Sequence, residues 1–329
     1  MHKVIERLRW FSAFVVVFGH ARSLTFLPLK EVSNQSVFIK VFYFLTGYGH
    51  QAVIVFFMIS GFLVAKPLIK KNLKIHDLKK YFWRRFIRIY PLFLFTLILS
   101  IIIESIYFND LNLKIIFYNI INAAEFANLR LLSNEPLWSL NYEWTYYCFF
   151  PILIYFFKRK NKLMMFILFV FFSIMTFVNY KVMLYSIFWL MGIFILTKKL
   201  NAFSNKFSFL IILFLMICSL ISIRLYRSLE ADGLIYFLLN LIFSLFFLIY
   251  LNKLLLVKTR TYSWENFLAK TSYSLYIVHY PVIIVFNSLC TFKNGFLQFL
   301  LLILTSYIFS FIFYQFIEKP FLKYKNIYD

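Results

Sequence analysis

The sequence predicts an all-α, polytopic membrane protein of about ten transmembrane helices, with both termini in the cytoplasm. Three observations predict it. Of the 329 residues, 62% are hydrophobic and only 15% are charged, against about a quarter charged in an ordinary soluble domain. Apolar runs of about twenty residues, the length that crosses a hydrocarbon core, recur from end to end with no hydrophilic domain between them. The basic residues sit in short segments between these runs, dense in one segment and sparse in the next.

The spans are read in order as 8–26, 51–69, 86–108, 137–157, 163–180, 182–197, 207–226, 233–252, 271–290 and 296–317. The first has no small-residue cleavage pattern before Pro28, so it is expected to be a retained span rather than a signal peptide. The fifth and sixth are separated only by Asn179, Tyr180 and Lys181, and the sixth is short. Residues 109–136 form the longest outer segment. Its apolar piece, Ile115 to Ile121, is too short to span and is expected to lie in the interface. With the N-terminus inside, about three in four of the 35 Lys and Arg fall on the cytoplasmic side, as the positive-inside rule demands. An even number of spans then returns the C-terminus to the cytoplasm. The net charge of +22 therefore reports orientation and not nucleic-acid binding. No internal repeat or linker interrupts the pattern, so residues 1–329 are expected to form a single membrane domain. Cys148, Cys218 and Cys290 lie inside apolar runs without metal or redox spacing, so helix packing is expected of them and no metal site.

Ionisable groups inside a span are costly and point to function. Three stand out: His20 in the first span, Glu143 in the fourth and His279 in the ninth. Glu104 lies near the outer end of the third span and is expected to reach the interface. Arg9 and His20 are eleven residues apart, which is about 1,100° of helical rotation, so they share one face of the first helix. Arg9 falls at the cytoplasmic mouth and His20 about 16 Å above it. Counting from the outer interface, His20 lies ~13 Å deep and Glu143 ~9 Å deep, so a His–Glu pair is expected, with the carboxylate fixing the imidazole tautomer. A structural hydrogen-bonding role for either is the plainer alternative, for instance Glu143 contacting Trp138 or Tyr147. Arg85 and Arg88, three apart, share a face where the third helix leaves the cytoplasm. Their guanidinium forks suit phosphate, and with Arg9 they are expected to form a basic inner vestibule. His279 precedes Pro281, which frees backbone groups beside it. A structural role for His279 is the simpler expectation. No Gly-rich phosphate loop and no Gly-x-Ser-x-Gly elbow is present, so phosphoryl transfer and serine hydrolysis have no support.

These residues together resemble the acyltransferase-3 family of membrane-bound O-acyltransferases. The segment from Arg7 to His20 is similar to the family's basic residue, ten-residue gap and histidine. Ser60-Gly61-Phe62 is similar to its second-helix signature. Arg85 and Arg88 followed by Pro91 match a two-arginine motif. Trp138-Ser139-Leu140 with Glu143, Tyr147 and Pro151 match a Trp-Ser-Leu…Glu signature. Ser272 to Tyr276 with His279 and Pro281, then Glu318-Lys319-Pro320, match closing motifs. Residues 160–265 align with no motif, and acceptor specificity is expected there.

The resemblance implies a ten-helix domain in the inner membrane of a bacterium that transfers an acetyl or short acyl group to a hydroxyl of a surface or lipid-linked glycan, as in O-antigen or exopolysaccharide modification. It implies no permanently bound cofactor. Acetyl-CoA, or another acyl-CoA, would enter as co-substrate on Arg9, Arg85 and Arg88, and the glycan would approach from the outer side. His20 and Glu143 are the expected catalytic residues, with His20 as general base or covalent acyl relay. Ser60, Trp138, Tyr276 and His279 are further candidates. A membrane exporter of an acyl group or polysaccharide, without transferase activity, fits the composition equally well. Its usual signs, internal repeats or paired broken helices, are not found.

Overall fold

The computed structural model describes residues 2–33, 35–68, 73–108, 111–195, 206–228, 233–255 and 262–326. It is 87% helical, with no strand among the described residues. The long helices are α1 (His2–Thr25), α3 (Gly49–Leu68), α4 (Ile75–Tyr107), α7 (Leu137–Lys158), α8 (Lys162–Val178), α9 (Lys181–Phe194), α10 (Lys206–Ser228), α11 (Leu234–Leu254), α12 (Ser263–Leu289) and α13 (Gly295–Phe313). Short helices α2 (Val37–Leu45), α5 (Leu113–Ile120), α6 (Ala124–Ala127) and α14 (Lys319–Leu322) lie in the connections. Among the described residues, seven segments are long and apolar enough to cross a membrane. Helices α8 and α9 are shorter, at 17 and 14 residues. Helix α7 is long enough, but its first half is rich in polar groups.

The chain divides into two compact units. The first comprises Met1–Gly19, Leu27–Lys66 and Ile187–Ala269, and the second His20–Phe26, Pro67–Ser186 and Lys270–Asp329.

In the first unit, glycines set the closest helix contact. A Cβ on Gly61 would lie 1.9 Å from the Trp189 carbonyl oxygen, and a Cβ on Gly192 would lie 1.9 Å from that of Met58. Helices α3 and α9 therefore touch backbone to backbone, an approach that only small residues permit. The Trp189 indole, fully buried, donates to Ser60 Oγ across this contact. Gln51 of α3 donates to Asn240 of α11 at 2.8 Å, so a buried polar pair is satisfied within the apolar interior. Toward the start of the chain, Arg7 grips Glu265 with two parallel bonds of 2.7 and 2.9 Å, and Trp10 packs edge-on to Trp264.

In the second unit, α4 begins at Ile75, eleven residues before the predicted span. Asp77 accepts from the Lys74 backbone N–H and so holds the first turn. At 33 residues the helix is about 50 Å long, well beyond a hydrocarbon core of ~30 Å. The basic stretch before the membrane is thus helical too.

Residues 111–136, between α4 and α7, bond α4 at two separated levels. Glu104 accepts from the Leu132 and Ser133 backbone N–H groups, while Tyr90 donates to the Ile120 carbonyl at 2.8 Å. Fourteen residues of helix separate Glu104 from Tyr90, which is ~21 Å along the axis. The segment therefore folds back along α4 as a hairpin, and its polar side chains satisfy part of its backbone. Asn119 donates to the Ile115 and Leu129 carbonyls. Asn122 and Asn128 take the left-handed conformation at the turns. Glu125, buried, is paired with Arg130 and accepts from Tyr142 of α7. Glu104 does not reach the interface; it is 1% exposed, and it anchors the hairpin.

Candidate functional site

Of the predicted site residues, Arg9 and Ser60 lie in the first unit, and the rest lie in the second. Arg9 is half-buried on α1, which runs unbroken through His20, so the helical spacing between the two is kept. Ser60 Oγ is occupied by the Trp189 indole at 3.2 Å and belongs to the α3–α9 contact.

The second unit brings His20 and His279 together. Their ring centroids are 5.4 Å apart. Tyr280 stands edge-on to His20 at 5.0 Å, and its hydroxyl donates to Glu135 at 3.4 Å. His279 is fully buried, while His20 is half-buried. The α12 helix places His279 one turn above Tyr276 and Leu275. The His279 Nδ1 lies 2.7 Å from the Tyr276 carbonyl and 3.1 Å from that of Leu275. Both partners are acceptors only, so Nδ1 carries the proton and Nε2 carries the lone pair.

Helix α12 runs through Pro281 without a break. A proline has no N–H to give the carbonyl four residues earlier, that of Ile277. Asn134 supplies the missing donor, with its Nδ2 3.3 Å from the Ile277 oxygen. The same Nδ2 reaches Ser100 Oγ, so one amide ties α4, the base of the hairpin and α12 together. Tyr276 adds a second tie, bonding Ser139 of α7 and donating to the Pro136 carbonyl at 3.4 Å. Ser274 donates to the buried Glu318, in a π-helical turn at Tyr314–Glu318.

Glu143 does not pair with His20. It accepts from Tyr147, one turn along α7, at 2.5 Å. The depth arithmetic fails for an identifiable reason. Asn134, before α7 begins, already reaches Ile277, two residues from His279. Glu143 lies six helical residues beyond Leu137, another ~9 Å toward the cytoplasmic end. The expected pairing assumed that α7 starts at the outer surface, whereas the hairpin ahead of it is sunk beside α4.

Glu143 instead joins the arginines. The Arg85 guanidinium lies over the Tyr147 ring at 4.9 Å and over the Tyr81 ring at 5.7 Å, a favourable cation–π geometry. Arg85, Tyr147 and Glu143 thus form a connected set on α4 and α7. Arg88 is half-buried on the next turn of α4. Trp138 packs against Tyr142 and Tyr185, whose own rings stack at 5.4 Å. That aromatic cluster backs α7 on the hairpin side.

Sequence reasoning missed Tyr280, Glu135, Asn134 and Ser139. Ser139 carries a readable signal, because it lies within a turn of Pro136 at the head of a polar helix. Asn134, the donor that the Pro281 gap requires, has no sequence marker for that role, since any nearby amide can supply it.

A family model described as an acyltransferase domain matches residues 3–315. That range takes in His20, Arg85, Arg88, Glu143 and His279. Acyltransferase MdmB of Streptomyces mycarofaciens is 32% identical over 154 residues, which is 44% of this chain and 37% of that protein. The chain thus aligns with less than half the length of that relative. No solved structure matches the chain. The breadth of the family match, over motifs that fall on α1, α3, α4, α7 and α12, establishes that the chain belongs to the acyltransferase-3 family.

Proposed function

We propose that this protein is a membrane-bound O-acyltransferase that moves an acetyl or short acyl group from cytoplasmic acyl-CoA to a hydroxyl of a cell-surface or lipid-linked glycan. It works as a single ten-span domain in the inner membrane of a bacterium, with both termini in the cytoplasm. The observation that carries this reading is the pair of imidazoles, 5.4 Å apart in the interior of the second unit. An apolar interior tolerates such groups only for a purpose.

Arg85 and Arg88 hold the phosphates of the acyl-CoA, which are too polar to enter the bilayer. The thin pantetheine arm carries the thioester up toward His20. His20 is the proton acceptor for the incoming hydroxyl or the nitrogen that carries the acyl group between donor and acceptor. Glu143 acts on the donor side: through Tyr147 it positions Arg85.

Membrane vesicles given radiolabelled acetyl-CoA test this reading. Label entering the glycan fraction, dependent on the protein, is the expected result. Movement of intact glycan across the vesicle membrane without labelling would replace the enzyme by an exporter.

A further inference from the structure

His279 is the better oriented of the two histidines, and its chemistry is not used by the reading above. Its Nδ1–H is held by two backbone carbonyls. Its Nε2 is buried and has no hydrogen-bond partner among the described residues. A buried acceptor left without a donor is costly, so the fold carries a bare lone pair at a defined position next to His20. The backbone carbonyls do for His279 what a carboxylate does for the histidine of a catalytic triad: they fix the tautomer and aim the basic nitrogen. No hydrogen bond among the described residues fixes the His20 ring in this way. Its neighbours are the His279 and Tyr280 rings.

We propose that His279 Nε2 is the proton acceptor for the acceptor hydroxyl, with His20 as its partner on the acyl group. The inference rests on the acyltransferase reading and divides its chemistry between two imidazoles. As the acceptor oxygen bonds to the acyl carbon, its proton moves to His279 Nε2. The bond from the acyl carbon to its leaving atom then breaks. That atom is the thioester sulfur in direct transfer, or a ring nitrogen of His20 if the acyl group is relayed. The leaving atom takes the proton from His279, so neither imidazole is consumed and the products are the ester and the free thiol. In the relayed case, the acyl group withdraws electrons from the His20 ring and leaves its other nitrogen too weakly basic to deprotonate the hydroxyl, and the second imidazole supplies that function.

The test uses the full-length protein in membrane vesicles with radiolabelled acetyl-CoA. His279→Asn keeps a side-chain N–H for the Tyr276 carbonyl and removes the basic Nε2. Transfer to the vesicle glycan is expected to fall by ~10²–10⁴-fold. Transfer to hydroxylamine, a nucleophile that needs no base at neutral pH and whose own N–H proton can pass to the leaving atom, is expected to stay within about threefold of wild type after subtraction of the protein-free rate. Glycan labelling within about threefold of wild type would overturn the proposal, again on the size of a general-base effect. Equal loss with both acceptors would overturn it too, because the residue would then be acting through the fold. His20→Ala, run alongside, separates this inference from its parent. Glycan labelling by that variant would remove the acyltransferase assignment of His20 whatever His279 does.

Discussion

At the residue scale, the site is a set of polar groups whose partners decide their roles. Arg85 and Arg88 are the proposed phosphate ligands, and a hydrogen bond to a charged group contributes ~1.5–3 kcal/mol. Arg85→Ala or Arg88→Ala is therefore expected to raise the KM for acetyl-CoA by ~10–100-fold, read by initial rates of label transfer. Glu143→Gln keeps an acceptor for Tyr147 and is expected to act in the same direction as Arg85→Ala, by a smaller factor. A KM that is unchanged in all three variants would remove the arginines from donor binding. Ser60→Ala deletes the acceptor for the Trp189 indole. It is expected to cost about 1 kcal/mol of stability and to leave acyl transfer intact.

The ionisable residues were legible in the sequence because an apolar background makes them conspicuous. Their pairing was not. Helical periodicity places a side chain on a face and at a depth only when the start of the helix is known, and a sunken hairpin moved the start of α7. His20 therefore meets His279 rather than Glu143. The simple structural expectation for His279 was met in part: Nδ1 is a backbone bonder, but Nε2 is left bare.

At the element scale, two contacts control the architecture. The α3–α9 contact depends on glycines at 61 and 192, with no room for a methyl group. Gly61→Ala is expected to lower the melting temperature in detergent and the yield, at a cost of about 1–3 kcal/mol from overpacking. Gly61→Leu is expected to abolish folded protein. Gly233 offers a contrast. Its φ of 139° is open to glycine and strained for other residues, but an added Cβ there would meet nothing within 4 Å among the described residues. The second contact is the hairpin on α4. Glu104→Ala leaves the Leu132 and Ser133 N–H groups without their acceptor and is expected to cost ~3 kcal/mol, measured as the shift in thermal unfolding. Composition and hydropathy located every long helix to within a turn or so at most ends. The main exception is the start of α4, where a basic segment that hydropathy leaves outside the span is nonetheless helical. The hairpin was invisible for a related reason: its apolar piece is conspicuous, but hydropathy says nothing of the hydrogen bonds from Glu104 and Tyr90 that hold it along α4.

At the scale of the whole molecule, the distribution of basic residues favours an orientation with both termini in the cytoplasm. In that orientation the proposed thioester donor approaches from one side and the proposed glycan from the other. Reporter fusions after residues 162 and 325 are expected to report the cytoplasm, and a fusion within the 109–136 segment the opposite face. The reverse pattern would invert the donor and acceptor sides. The central claim is that acyl transfer runs through the His20 imidazole. It is tested most directly by transfer of radiolabel from acetyl-CoA to glycan in vesicles holding equal amounts of wild-type and His20→Ala protein. The account predicts label with the wild type and none above the protein-free background with the variant. Labelling by the variant at the wild-type rate would contradict it.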